Sequence, residues 1–275
     1  MIGISITYDP TDTGDVYTAR TASINDLGAI AARSLQEHTA DNLHDVIGAA
    51  LDGVSGYQGT CAVGLPHSLM RLDERPIPAR LPAIEQKRAA ITFANSYFPN
   101  DGVTQVRTIQ RTIADSTTHS LFLAAISQST VTTIRKAMKR SRRFVTDITP
   151  NAFGLAKATG LRERTIIDLT DIADKRHVSL YLTAPPAASQ HSWAFTASRI
   201  GKDELDTIET VINDAVQKRV IAPPTSIGLI DPHGIFPEGQ RLAGALCQPL
   251  NTRLDERTIP YIIAIGVANG EVTVA

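Results

Sequence analysis

Three aspartates at three-residue intervals, Asp168, Asp171 and Asp174, are the most regular set of chemistry-bearing side chains in this sequence. Carboxylates gathered on one turn would take up a divalent cation, but this interval fits no EF-hand loop, and they read as ordinary hairpin and turn carboxylates. Arg135, Lys136, Lys139, Arg140, Arg142 and Arg143 form the one dense basic cluster. It reads either as a patch for anionic lipid headgroups or an acidic partner, or as a solvated helix end whose cations complement the helix dipole. No aromatic residues are interleaved with it to stack nucleic-acid bases. The seven histidines recur at no metal-ligand interval. A Gly-x-Ser-x-Gly elbow, a Walker loop and a Cys/His pairing are all missing, so the sequence gives no positive support for enzyme chemistry and none for a bound metal.

The elements that would position these residues are clearest between Leu121 and Gly160. Leu121–Ile126 is a short unbroken apolar run, the pattern of a strand buried on both faces. Ser127–Thr130 then offers caps to a helix carrying Val131, Ile134, Ala137 and Met138 on one face. Phe144–Ile148 reads as another strand. Thr149-Pro150 opens a second helix, a capping hydroxyl before a proline at the first helical position, and Gly160 stops it. Thr165–Leu169 begins the next strand. Strands alternating with helices over 275 residues predict α/β layers split into two lobes.

Elsewhere the pattern predicts a strand over 2–7, a turn at Asp9–Asp12, a hairpin-paired strand over Val16–Ala22, and one or two helices across about 24–52. A buried strand ends at Pro66, and an edge strand with Pro76 and Pro78 follows. Pro82–Phe98 is a helix with two apolar stripes, one of Ile84, Ile91, Ala94 and Phe98, the other of Ala90, Phe93 and Tyr97. Strands over about 103–113 and 119–126 flank a polar hairpin. Further on come strands at about 165–169 and 177–183, a loop over 184–192, an amphipathic helix over Asp203–Arg219, a strand at Ile227–Ile230, a helix over Pro237–Leu250 and a small-residue helix over Ile259–Ala268. The formal charge of −1 excludes a strong global attraction to nucleic acid or membrane, though not a local patch. Cys61 and Cys247, far apart, suit a reduced compartment. The N-terminus lacks a signal-peptide pattern, and no apolar run approaches the roughly 18 residues of a membrane span. A cytoplasmic location is expected.

This punctuation resembles the PilM class of actin-like type IV pilus assembly proteins and their relatives in type II secretion. Four places carry the resemblance across most of the chain: the strand ending Ala62-Val63-Gly64-Leu65-Pro66; the helix ending Ala94-Asn95-Ser96-Tyr97-Phe98-Pro99; the exit Asp147-Ile148-Thr149-Pro150-Asn151-Ala152-Phe153-Gly154; and the closing Pro260–Ala268. The resemblance implies an actin-like (ribonuclease H-like) two-lobe α/β fold. Its parts would be a first-lobe core over 1–66, an inserted SHS2-type subdomain over 67–148, a return over 149–164, a reduced second lobe over 165–258 and a closing helix over 259–275. It also implies a cytoplasmic protein peripheral to the inner membrane. Such a protein binds the cytoplasmic N-terminal peptide of a PilN-like single-pass partner in a groove; Phe93 and Tyr97, with Ala90, would line that groove, or the two rings would complete the core between subdomains.

In actin-like ATPases two glycine-bearing turns admit phosphate, because backbone N–H groups approach it with no Cβ in the way. Here the aspartate of the first turn is Ser5 and its second glycine is Thr7. In the second turn Asp168 survives and the glycine is Thr170; the nucleoside-side glycines fall at Asp231 and Pro232. The expectation is a degenerate ATP site and no cofactor, with Mg-ATP binding as the alternative.

Overall fold

The computed structural model describes residues 1–11, 14–25, 29–57, 59–78, 81–99, 101, 103–112, 118–159, 164–172, 175–184, 187–195, 199–218, 221–231, 233–250 and 257–268. The chain opens with a hairpin of β1 (Ile2–Thr11) and β2 (Gly14–Ser23), to which β3 (Gln36–Ala40) pairs before helix α1 (Leu43–Gly53). After β4 (Cys61–Leu65) it leaves the first sheet for β5 (Arg71–Pro78), α2 (Ala83–Tyr97), β6 (Val103–Thr112) and β7 (Thr118–Ser127). It returns through α3 (Gln128–Arg140), β8 (Val145–Pro150) and α4 (Asn151–Ala158). A second body holds β9 (Arg164–Ile172), β10 (Lys175–Ala184), β11 (Ala187–Phe195), α5 (Lys202–Gln217), β12 (Ser226–Ile230), β13 (Arg241–Leu242) and β14 (Ala245–Pro249). A 3₁₀ turn (Ile259–Tyr261) leads into α6 (Ile262–Val267).

Among the described residues the strands sort into three sheets, ordered β3-β2-β1-β4-β8, β5-β7-β6 and β11-β10-β9-β12-β14-β13. In the first and third, two strands joined in antiparallel succession lie on one side of the lead strand and a parallel partner on the other. The repetition of that arrangement gives the actin-like, two-lobe α/β fold.

Period-two alternation decides what each face does. On β1, Ile2, Ile4 and Ile6 are fully buried in a core with Val46 and Ile47 of α1 and Ile134 and Ala137 of α3. Gly3 and Ser5 therefore turn to the opposite face, where α4 and α6 lie. On β9, Ile167 and Leu169 meet Ile208 and Ile212 of α5, while Ile166 turns the other way and joins Leu155, Ile263 and Val267. Helices α4 and α6 thus form a layer shared by both large sheets.

That layer is packed through glycines. A Cβ on Gly266 would overlap the Gly154 carbonyl, and one on Gly3 would overlap the Ala264 carbonyl. A Cβ on Gly64 would lie 2.8 Å from Val267 Cγ2, and one on Gly154 would lie 2.7 Å from the same atom. Every residue of α6 is buried.

Local chemistry sets several boundaries. Asn42 caps α1, accepting from the Asp45 N–H at 2.9 Å, and the Ser127 hydroxyl accepts from the Thr130 N–H at 3.2 Å to start α3. Asp101, just past α2, accepts from the Ser129 N–H at 3.2 Å, tying the insert to the first turn of α3. Hydrogen bonds from Ser129 and Ser127 hold the Asp101 carboxyl below its usual range.

Five elements differ from the sequence expectation. The turn read at Asp9–Asp12 does not begin at Asp9, because β1 runs on to Thr11. Tyr8 and Tyr17 pair directly across the ladder with ring centroids 4.9 Å apart, and such a cross-strand aromatic contact sustains pairing. The span 24–52 holds a 3₁₀ turn, β3 and α1. Thr149 and Pro150 end β8, and Pro150, not Thr149, is the N-cap of α4, whose first helical residue is Asn151. The loop read over 184–192 contains most of β11, paired along its length with β10. The helix read over Pro237–Leu250 is instead a hairpin, because Ala243 (φ 49°) and Gly244 (φ 79°) form a two-residue turn between β13 and β14. Glu209 of α5 accepts the Ala243 N–H at 2.7 Å and holds that turn.

Gly266→Ala should lower stability by about 1–3 kcal/mol, as overpacking does, measured by urea unfolding. Gly48→Ala, inside α1 with open space beyond its Cα, should raise it by about 0.5–1 kcal/mol.

Candidate functional site

The face of the first sheet that looks toward the second lobe carries Ser5 and Thr7, the positions that the resemblance aligns with the first phosphate turn. Ser5 of β1 is buried and stands opposite Arg20 of β2; Thr7 stands opposite Thr18 and donates its hydroxyl to the Thr18 carbonyl at 3.3 Å. Thr7 is mid-strand. The ladder continues past it to the Thr11–Gly14 pair, so no turn opens at the position where a glycine would admit phosphate. The second hairpin repeats this: Asp168 of β9 pairs with Ser179 and Thr170 with His177, and the ladder runs on to Ile172 and Lys175. Both hairpins carry their pairing beyond the residues that sequence alignment with the family put in turns.

Asp168 is the buried acid of this region, 5% exposed, and its Oδ1 accepts no hydrogen bond from the described residues. Burial pushes its pKa up to about 6, against the opposing pull of the Arg20 charge. Arg20 is engaged elsewhere. Its Nε donates to Glu37 at 2.5 Å and its Nη1 to the Pro260 carbonyl at 3.3 Å, tying β2 to β3 and to the approach to α6. Desolvation raises the pKa of Tyr261 beside them, Glu37 adding to the rise. The lobes meet directly here, with β1 and β2 touching β9.

Asp231 has a structural role. Its Oδ1 accepts from the His233 and Ile235 N–H groups at 3.3 and 3.1 Å, and its Oδ2 from the Phe236 N–H at 2.8 Å. The carboxylate thus organises the loop leaving β12 that a glycine turn would otherwise form. Pro232, and Asp174 of the aspartate triplet, lie outside the described residues. Among the described residues no group of His, Cys, Asp and Glu could hold a metal ion. A recess of about 370 Å³ lies at the opposite end of β9, between Arg164, Pro223, Pro224, Gly228 and Gln248.

Ala90 and Ala94 are fully buried and α2 packs on β6 and β7, while Ile84 and Ile91 are 63% and 41% exposed. Ala90 of one stripe and Ala94 of the other are the buried pair, so the face of α2 on β6 and β7 runs between the two stripes, where alanines let a helix sit close over the strands. Ala90 has no surface to offer a partner. Phe93 and Tyr97 are half-buried at the helix margin. The basic cluster follows α3 and the turn after it, and Arg143 differs from the rest: its guanidinium donates to the carbonyls of Ser55, Tyr57 and Gly59.

No known family profile and no curated protein sequence matches this chain. Solved structures do. The PilM–PilN type IV pilus biogenesis complex matches with a TM-score of 0.59 at 14% identity, over 97% of this chain and 97% of that one. The cytoplasmic domain of EpsL, an inner-membrane component of the type II secretion system of Vibrio cholerae, matches with a TM-score of 0.53 at 11% identity, over 97% of this chain and 94% of that one. The chain has their fold from end to end. Among the described residues no helix is long and apolar enough to cross a membrane.

Because the native pKa of Asp168 lies above its unfolded value, the native state holds that proton more tightly. The resulting stability is complete below the unfolded pKa of 3.8 and is lost as pH rises through about 6. Asp168→Asn should remove up to about 3 kcal/mol of pH-dependence, seen as a flatter stability profile than wild type between about pH 4 and 7.

Proposed function

We propose that this chain is a non-catalytic, cytoplasmic actin-like scaffold of a type IV pilus or type II secretion-type machine. In this reading it docks the cytoplasmic N-terminal peptide of a PilN-like single-pass inner-membrane protein and is held at the membrane through it. The observation that carries the reading is the continuity of both hairpins at Thr7 and Thr170 within a fold that is otherwise kept throughout. Phosphate recognition needs backbone N–H groups free of the ladder and close approach without a Cβ. Among the described residues neither hairpin offers that geometry. A scaffold needs only the fold and a surface, and a fold shared with the PilM–PilN structure over 97% of both chains supports that role.

The docking peptide is assigned to the α2 margin at Phe93 and Tyr97. Half-buried rings anchored in a subdomain give a rigid apolar edge on which an extended segment can lie. The hook of Asp101 on Ser129 keeps that edge in a fixed relation to the first lobe. A second reading, Mg-ATP binding, is favoured by Asp168 alone, whose buried and unpartnered Oδ1 is the kind of group that orients a magnesium shell. Against it stand Ser5 and Thr7, and the use of Asp231 to order its own loop. The residues present do not fit the nucleotide.

Isothermal titration with the N-terminal tail of a PilN-like protein tests the docking. Phe93→Ala and Tyr97→Ala should each weaken binding by about tenfold, near 1.4 kcal/mol, with Ile84→Ser silent. Sensitivity at Ile84 with none at Phe93 and Tyr97 would overturn the assignment.

A further inference from the structure

The C-terminal end of α3 carries a surface that the docking reading does not use. Phe144, just before β8, is 81% exposed. Around it stand Arg135, Lys139 and Arg142, over an apolar floor of Met138 and Val145 that together line a shallow recess of about 620 Å³. Lys136 and Arg140 continue the charge one helical step away, and all five cations are exposed. Among the described residues none of the five forms an ion pair. Arg142 holds a left-handed conformation (φ 54°) that ends α3, and the Arg143 guanidinium, bonded to the 55–59 loop, fixes the base from which Phe144 projects.

We infer that this face is a membrane-contact surface for anionic phospholipid. A lone ring standing proud of the surface is unlike the recessed anchor of a protein interface, which sits in a pocket its partner fills. It suits the headgroup boundary, where a ring enters shallowly and the surrounding cations reach phosphate through flexible stems. Five cations within one helical end supply the attraction, since each adds favourably near an anionic leaflet and the effect fades within a Debye length. Single-ring insertion is weak, and the surrounding cations supply the rest of the attraction. The inference rests on the α3 surface alone and is independent of the docking assignment at α2.

Co-sedimentation of the full chain with vesicles tests it, with no partner peptide present. The protein should sediment with mixed phosphatidylglycerol–phosphatidylcholine vesicles, stay soluble with phosphatidylcholine alone, and be released by salt. Phe144→Ser, and separately the pair Lys139→Glu with Arg142→Glu, should each reduce binding roughly tenfold while circular dichroism stays unchanged. Equal sedimentation of wild type and variants, or none with anionic vesicles, would overturn it. So would tighter binding to an acidic polyglutamate peptide than to the vesicles, which would mark the face as a protein interface.

Discussion

Helix α6 can lie where it does only because the residues around it lack side chains. Gly3 of β1, Gly64 of β4 and Gly154 of α4 each leave room that a Cβ would fill with an atom of α6 or of its neighbour, and Gly266 does the same from within the helix. Six buried residues at the end of the chain thereby close the layer between the two large sheets. A protein interior is dense enough that one added methyl is felt, so this seam sets the spacing of the lobes. Where each hairpin can sit over the cleft follows from that spacing.

The cleft follows from the same packing. With the lobes drawn together through α4 and α6, the inward face of β1–β2 meets β9, and Asp168 loses its water. Nothing near it compensates fully. Arg20 lends its field but gives its hydrogen bonds to Glu37 and to the chain entering α6. A cleft that buried an acid beneath open phosphate turns would be poised for a metal nucleotide. This one buries the acid beneath continuous ladders, and the hairpins serve as walls between lobes.

The sequence carried the fold well where periodicity was strong. α3, α5 and β12 were legible from their apolar spacing, and the return helix from its small residues. The β1–β2 ladder ran past its Asp-Pro signal because the facing Tyr8 and Tyr17 reward further pairing, a contact visible only once the register is known. β3 has no apolar alternation, and pairing with β2 makes it a strand. β11 did leave a trace, since His191, Trp193 and Phe195 alternate after Pro185-Pro186. The pair Gly239 and Gly244 likewise argued for a hairpin over the helix read there. At the site, the losses at Thr7 and Thr170 could be read directly. The burial of Ala90 could not, because the inward face of α2 takes Ala90 from one apolar stripe and Ala94 from the other, a choice set by the sheet beneath it.

We propose that this cleft, closed by glycine-mediated packing and walled by the two hairpin ladders, does not take a metal nucleotide. Thermal unfolding of the purified protein with and without millimolar Mg-ATP tests it most directly. A ligand present at about 100 times its Kd would stabilise the native state by roughly 2.7 kcal/mol, a readily visible rise in Tm. Superimposable melts are expected. A clear rise in Tm that is abolished in Asp168→Asn would contradict it and restore the cleft as a nucleotide site.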